Sequence, residues 1–218
     1  MKNELRRSRF LSQNGGRCIY TGRPATSADH VPAKCFLAQP LPANLATVPC
    51  DGEFNSSIAR DEQYFLMLLG QVVIHPAIAR RVHEGGDIDR ALVRSPGLDQ
   101  RLINQLQVTG DGRVAIMPET ERIDRVLRKL AAGVYYVRFE KAPGIDHFAS
   151  LGLHSFDEPG DIAIKLSWSQ KPLEWTYIVQ WSIFSYGFAE DSEYGLLCNL
   201  CFYNALFGIV KCPPLQAE

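Results

Sequence analysis

The chain has 218 residues, 46% of them hydrophobic, and a formal net charge of -1 at pH 7. That supplies a core for one domain, or for two small lobes sharing an interface, and the chain reads as a soluble globular protein. The near-zero charge excludes a global attraction for nucleic acid, so any such binding must rest on local charge. Residues 1 to 34 hold seven basic side chains (Lys2, Arg6, Arg7, Arg9, Arg17, Arg23 and Lys34) against only Glu4 and Asp29. No apolar h-region opens the chain, and no later stretch approaches the roughly 18 apolar residues of a membrane span. A cytoplasmic location without membrane contact is the expectation. The six cysteines, at 18, 35, 50, 198, 201 and 212, are too scattered for a disulfide framework and are expected as reduced thiols.

In chain order, residues 17 to 34 read as a short β-hairpin: Cys18-Ile19-Tyr20, a turn at Gly22-Arg23-Pro24, then a strand running into Asp29-His30. Pro32 should end that strand. Pro40, Pro42 and Pro49 mark an irregular crossing, and Asn55-Ser56-Ser57 suit a turn and helix N-cap. From Ile58 to about His83 the spacing is helical, with Phe65, Leu68, Leu69, Val72 and Val73 on one face. Asp61 and Glu62 would lie in its first turn, where the helix dipole favours carboxylates, and Pro76 should kink or divide it.

A further helix is expected around Leu98 to Leu106, then a hairpin about Thr109-Gly110-Asp111-Gly112. Residues 119 to 134 give the clearest helix, its apolar face Ile123, Val126, Leu127, Leu130, Ala131 and Val134. Arg122, Arg125, Arg128 and Lys129 are expected on its solvated side. Beyond Gly160, segments Ile162 to Trp168, Trp175 to Tyr186 and Leu196 to Val210 read as antiparallel strands, their tryptophans as core. The class is α+β, with no internal repeat. A division into 1–85 and 86–218, packed as one unit, is expected.

The chemistry concentrates between residues 29 and 62. Hydrolysis of a phosphodiester needs a base for water, charge neutralisation at the phosphoryl group and a stabilised leaving alkoxide. His30 suits the first task. Mg²⁺ or a similar divalent ion suits the others, since it uses only one or two protein carboxylates. Asp29, with Glu62 or Asp61, could supply them if the hairpin packs on the helix; Asn55 could orient the imidazole. Lys34 and Arg23 would meet phosphate. Cys198 and Cys201, three apart on a strand, face opposite sides and suit packing rather than ligation. His75, beside Pro76, suits packing or capping.

Asp29-His30-Val31-Pro32-Ala33-Lys34, followed by Thr47-Val48-Pro49-Cys50, Asn55 and Asp61-Glu62-Gln63-Tyr64-Phe65, resembles the bacterial HNH endonucleases with a ββα-metal core. Arg128 to Tyr136 and Phe202-Tyr203 are also similar to segments of such proteins. The resemblance implies an N-terminal HNH-like nuclease core, within 1–85, packed with helices and a C-terminal antiparallel sheet. It implies His30 as general base, Asp29 as metal ligand and Asn55 as the central orienting residue, with DNA as substrate. The third motif position has no histidine; Glu62, with Asp61 as substitute, is assigned there.

The two Cys-x-x-Cys pairs that brace many relatives through zinc are degenerate, since Thr21, Asp51 and Phe54 stand at their positions. Structural zinc is not expected, and Tyr20 with Phe54 could brace the fold instead. Two other readings stay open: a catalytically decayed nucleic-acid-binding or protein-interaction module, and a partner in a toxin or defence system. In the nuclease reading the C-terminal portion would shape the substrate groove or a homodimer contact.

Overall fold

The computed structural model describes residues 13–82, 86–94, 96–108, 110, 114–156 and 176–215. Strand β1 (Ser27–Val31) pairs antiparallel with β2 (Ala46–Cys50), Asp29 standing opposite Val48 and His30 opposite Thr47. This corrects the expected hairpin. Cys18 to Tyr20 form no strand with β1; Arg17 meets Pro24 in an isolated bridge, and the Gly22 N–H donates to Cys18 O. The stronger partner is the Val48-Pro49-Cys50 run, fully enclosed in the core. Pro49, which has no N–H to donate, is tolerated at a sheet edge, and its carbonyl accepts from the Ile19 N–H at 3.2 Å.

Helix α1 (Gly52–Val72) starts six residues earlier than the sequence pattern suggests. Asp51 is its cap, Oδ1 accepting from the Glu53 N–H at 2.9 Å. Ser56 and Ser57, expected outside the helix, donate their hydroxyls back to Gly52 O and Phe54 O within it. Asp61 and Glu62 therefore sit in the third turn and not the first, so the helix dipole does not account for them.

Helix α2 (Pro76–Val82) follows at a bend of 112°, with proline as its first residue. His75 caps it, Nδ1 accepting from the Ala77 N–H at 3.1 Å. Helices α3 (Asp87–Arg94) and α4 (Pro96–Asn104) lead to a hairpin of β3 (Leu106–Val108) and β4 (Val114–Ile116), as expected there. Helix α3 was not anticipated.

Helix α5 (Thr120–Phe139) is the axle of the molecule. It packs against α1 and β1 and against a five-stranded antiparallel sheet in the order β5-β9-β8-β7-β6. These strands are β5 (Ala149–Ser155), β6 (Thr176–Gln180), β7 (Phe184–Asp191), β8 (Gly195–Phe202) and β9 (Leu206–Lys211). Strand β5 was not expected, and the expected strand Ile162 to Trp168 falls outside the described residues, as do Trp168 and Trp175. Trp181 is 78% exposed and is not core.

Two glycines permit the close approaches around α5. A Cβ on Gly133 would lie 2.9 Å from Val31 Cγ2 and 3.1 Å from the Tyr20 hydroxyl; one on Gly208 would lie 2.6 Å from Leu127 Cδ2. Edge-to-face rings of Phe36, Phe65, Phe202 and Phe184 then tie the N-terminal half to the sheet. One buried cluster runs from Cys18 to Cys212. The fold is α+β. Among the described residues no single helix is long and apolar enough to cross a membrane; only α1 and α2 taken together, across their bend, meet that length and composition.

Candidate functional site

Alternation along β1 sends Asp29 and Val31 inward and leaves His30 half-exposed on the opposite face. Inside, Asp29 Oδ2 accepts from the Tyr20 hydroxyl at 2.7 Å and lies 2.7 Å from the Lys129 ammonium. The same ammonium donates to Glu62 Oε1 at 2.5 Å. Asp29 and Glu62 thus converge, as a shared ion would require, but the point of convergence holds Lys129 Nζ. Lys129 is 1% exposed, which corrects its expected place on a solvated face.

Burial alone would lower the Lys129 pKa, yet the charges of Asp29 and Glu62 outweigh it and hold it above the ordinary value. Burial pushes the Glu62 carboxyl up against the pull of Lys129. Tyr20 is pushed well above its usual range by burial and then by Asp29. Tyr20 and Lys129 both meet Asp29 at Oδ2; its Oδ1 takes no hydrogen bond among the described residues.

Asp61 is held elsewhere. Arg122 Nε donates to its Oδ1 at 2.7 Å, and Arg125 Nη2 lies 2.6 Å from Oδ2. Its assigned role as a substitute metal ligand is therefore taken by two guanidinium groups, and that of Glu62 by an ammonium. Among the described residues no group of three or more histidine, cysteine, aspartate and glutamate side chains is placed to share one ion.

Asn55 lies in the first turn of α1, half-buried, its N–H donating to Asp51 O at 2.9 Å. Seven residues ahead of Glu62, it shares that helix face about 10 Å nearer the N-terminus. No hydrogen bond joins it to His30 among the described residues. Arg23, expected on phosphate, stands 3.3 Å from Asp51 and 3.4 Å from Glu53. Its charge is met within the protein. Lys34 is exposed on a 3-10 turn, Lys34–Phe36, beside an open cavity.

His30 itself is held below the ordinary imidazole value by burial and then by Lys34, with Asp29 pulling the other way. It is neutral near pH 7. Tyr20 and Phe54 stack at 5.1 Å, and Cys18 meets Cys50. The Cys50 contact lowers the Cys18 thiol to about 5 despite burial, with help from Thr21 and the Asp51 backbone.

The residue that sequence reasoning missed is Lys129. Its signal was present: Val126, Lys129 and Gly133 fall at i, i+3 and i+7, on the apolar stripe of α5. Compared with known proteins, the chain matches no family model, no curated protein and no solved structure.

Proposed function

We propose that the chain is a metal-dependent endonuclease of HNH type, acting on DNA phosphodiesters in the cytoplasm from a ββα scaffold made of β1, β2 and α1. The observation that carries this reading is a half-exposed imidazole at His30, held below its ordinary pKa by burial, next along β1 to a buried carboxylate at Asp29 that keeps one oxygen uncommitted, the two side chains leaving opposite faces of the strand. His30 takes the proton from the attacking water, which a neutral imidazole near pH 7 is suited to do. Tyr20 and Lys129 fix Asp29 through Oδ2, as outer partners commonly orient a ligating carboxylate. Asn55, in the first turn of α1 and half-buried, is the amide this reading assigns to orient imidazole or substrate.

Of the three carboxylates assigned to a divalent ion, Asp29 fits through Oδ1, while Glu62 and Asp61 are spent on protein cations. A single protein carboxylate is within the habit of Mg²⁺. When bound, such an ion supplies charge neutralisation at the phosphoryl oxygens and the leaving alkoxide.

A nicking assay on supercoiled plasmid with Mg²⁺ or Mn²⁺ tests the reading. His30→Ala should lower the rate by about 10² to 10⁴ with an unchanged melting temperature; undiminished metal-dependent cleavage would sink it. A second reading is favoured by the place of Lys129: an ammonium filling the point where Asp29 and Glu62 meet suits a scaffold that binds nucleic acid without cutting it. DNA affinity in a protein that neither binds Mn²⁺ nor nicks would establish that reading in place of the first.

A further inference from the structure

Four residues past His30, the chain enters the wall of an open cavity of about 510 Å³. Lys34 reaches it from the 3-10 turn, Arg80 and Arg81 from the last turn of α2, and Arg90 from α3. None of the lining residues that the structure describes is acidic; the wall also includes Leu37, Ala38 and Ala77.

Lys34 and Arg80 bring like charges to one wall, which opposes folding unless something offsets their repulsion. The dipole of α2 accounts for the two arginines in its last turn, but not for Lys34 arriving from a separate element. Arg81 has a bracing duty, since Nη1 donates to Cys35 O at 2.6 Å and to the Tyr203 hydroxyl at 3.3 Å. That brace fixes the cavity wall to the C-terminal sheet. Lys34 and Arg80 are both exposed on the wall so fixed. The volume lies within the range of small-ligand sites, large enough for a phosphate with its sugar. A guanidinium fork beside a lysine point charge is the donor set that phosphate recognition uses.

We propose that this cavity seats a backbone phosphate of a nucleic-acid strand, gripped by Arg80 and Lys34, and so delivers a neighbouring linkage to His30. Delivery to His30 rests on the nuclease reading; the phosphate seat does not. Of the two expected phosphate contacts the site keeps Lys34 and drops Arg23, whose charge Asp51 and Glu53 already meet.

The test is fluorescence anisotropy of a fluorescein-labelled DNA oligonucleotide with the full chain in EDTA, where no cleavage is needed. The double substitution Lys34→Glu with Arg80→Glu should weaken binding more than about tenfold. It should also flatten the log–log salt dependence by about two, one for each cation withdrawn from the phosphates. The charge-conserving pair Lys34→Arg with Arg80→Lys should retain the slope, and thermal melts of both variants check that the fold is kept.

Unchanged affinity and slope in the folded Glu variant overturn the proposal. So does an AMP titration that raises the wild-type melting temperature but not that of the Glu variant, if oligonucleotide affinity is the same in both: the cavity then serves a free nucleotide. Loss of affinity in the Glu variant of a protein that nicks no plasmid keeps the phosphate seat and removes the nuclease reading. Nicking with unaltered affinity does the reverse.

Discussion

Lys129 and Lys34 bear the same ammonium group, yet one lies 1% exposed between two carboxylates and the other stands exposed at a cavity walled by arginines. The first has its charge answered inside the protein and works for the fold. The second has no acidic neighbour among the described residues of its cavity wall and is available to an anion from solution. Composition cannot separate the two, because the environment assigns the role. A buried charge is tolerated only when paired and hydrogen-bonded, whereas an exposed one costs little and serves recognition.

Removing the buried ammonium should have the largest effect on stability. Lys129→Ala leaves Asp29 and Glu62 facing one another without a counter-charge and should cost about 3 to 5 kcal/mol, read from urea unfolding. A cost under about 1 kcal/mol would erase the contrast between the two lysines. Glu62→Gln keeps the shape and loses the charge-assisted bond, so a smaller loss of about 1 to 3 kcal/mol is expected. A cost equal to that of Lys129→Ala would mean that Glu62, and not Asp29, carries the pairing.

pH sharpens the same comparison. Lys129 and Tyr20 both have folded-state pKa values raised above their ordinary ones. Their contribution is therefore complete below about pH 10 and is lost as pH rises further. The melting temperature should fall on the alkaline side, and that fall should be blunted in Lys129→Met. An alkaline profile identical in the two proteins would place the titration elsewhere. His30 has the opposite sign: its depressed value keeps the imidazole neutral at pH 7, and proton uptake favours the unfolded chain below about pH 6.5.

The smallest stability effect belongs to the open cavity. Lys34→Ala should change unfolding free energy by no more than about 0.5 kcal/mol, while lowering the salt slope of oligonucleotide binding by about one. A large stability loss with an unaltered slope would make Lys34 a structural residue after all.

Much of the secondary structure was legible in residues 52 to 139, where apolar periodicity is strong. The stripe Ile123, Val126, Leu127, Leu130 and Val134 defines α5 from spacing alone, and the Gly-rich turn between Leu106-Gln107-Val108 and Val114-Ala115-Ile116 marks the β3–β4 hairpin. The partner of β1 was not legible. Cys18-Ile19-Tyr20 and Val48-Pro49-Cys50 are both short apolar runs, and local pattern gives no preference between a near partner and one beyond a loop. The start of α1 was misplaced for a related reason. Asn, Ser and Ser suit a cap, but Asp51 captured that role, leaving the two serines to bond within the helix.

The sequence by itself determined the residue types at the candidate site: an aspartate and histidine side by side, an asparagine downstream, and a cationic residue shortly after. Strand alternation alone then separates Asp29 from His30. Only the tertiary structure decided which carboxylates remain available, because Lys129, Arg122 and Arg125 come from a helix sixty to a hundred residues away. Gly133 lets that helix close on β1, and closure places the ammonium where Asp29 and Glu62 meet. The cationic cavity arose in the same way: Lys34 stands out in sequence, but Arg80 and Arg90 join it only when packing of the core brings three elements to one wall.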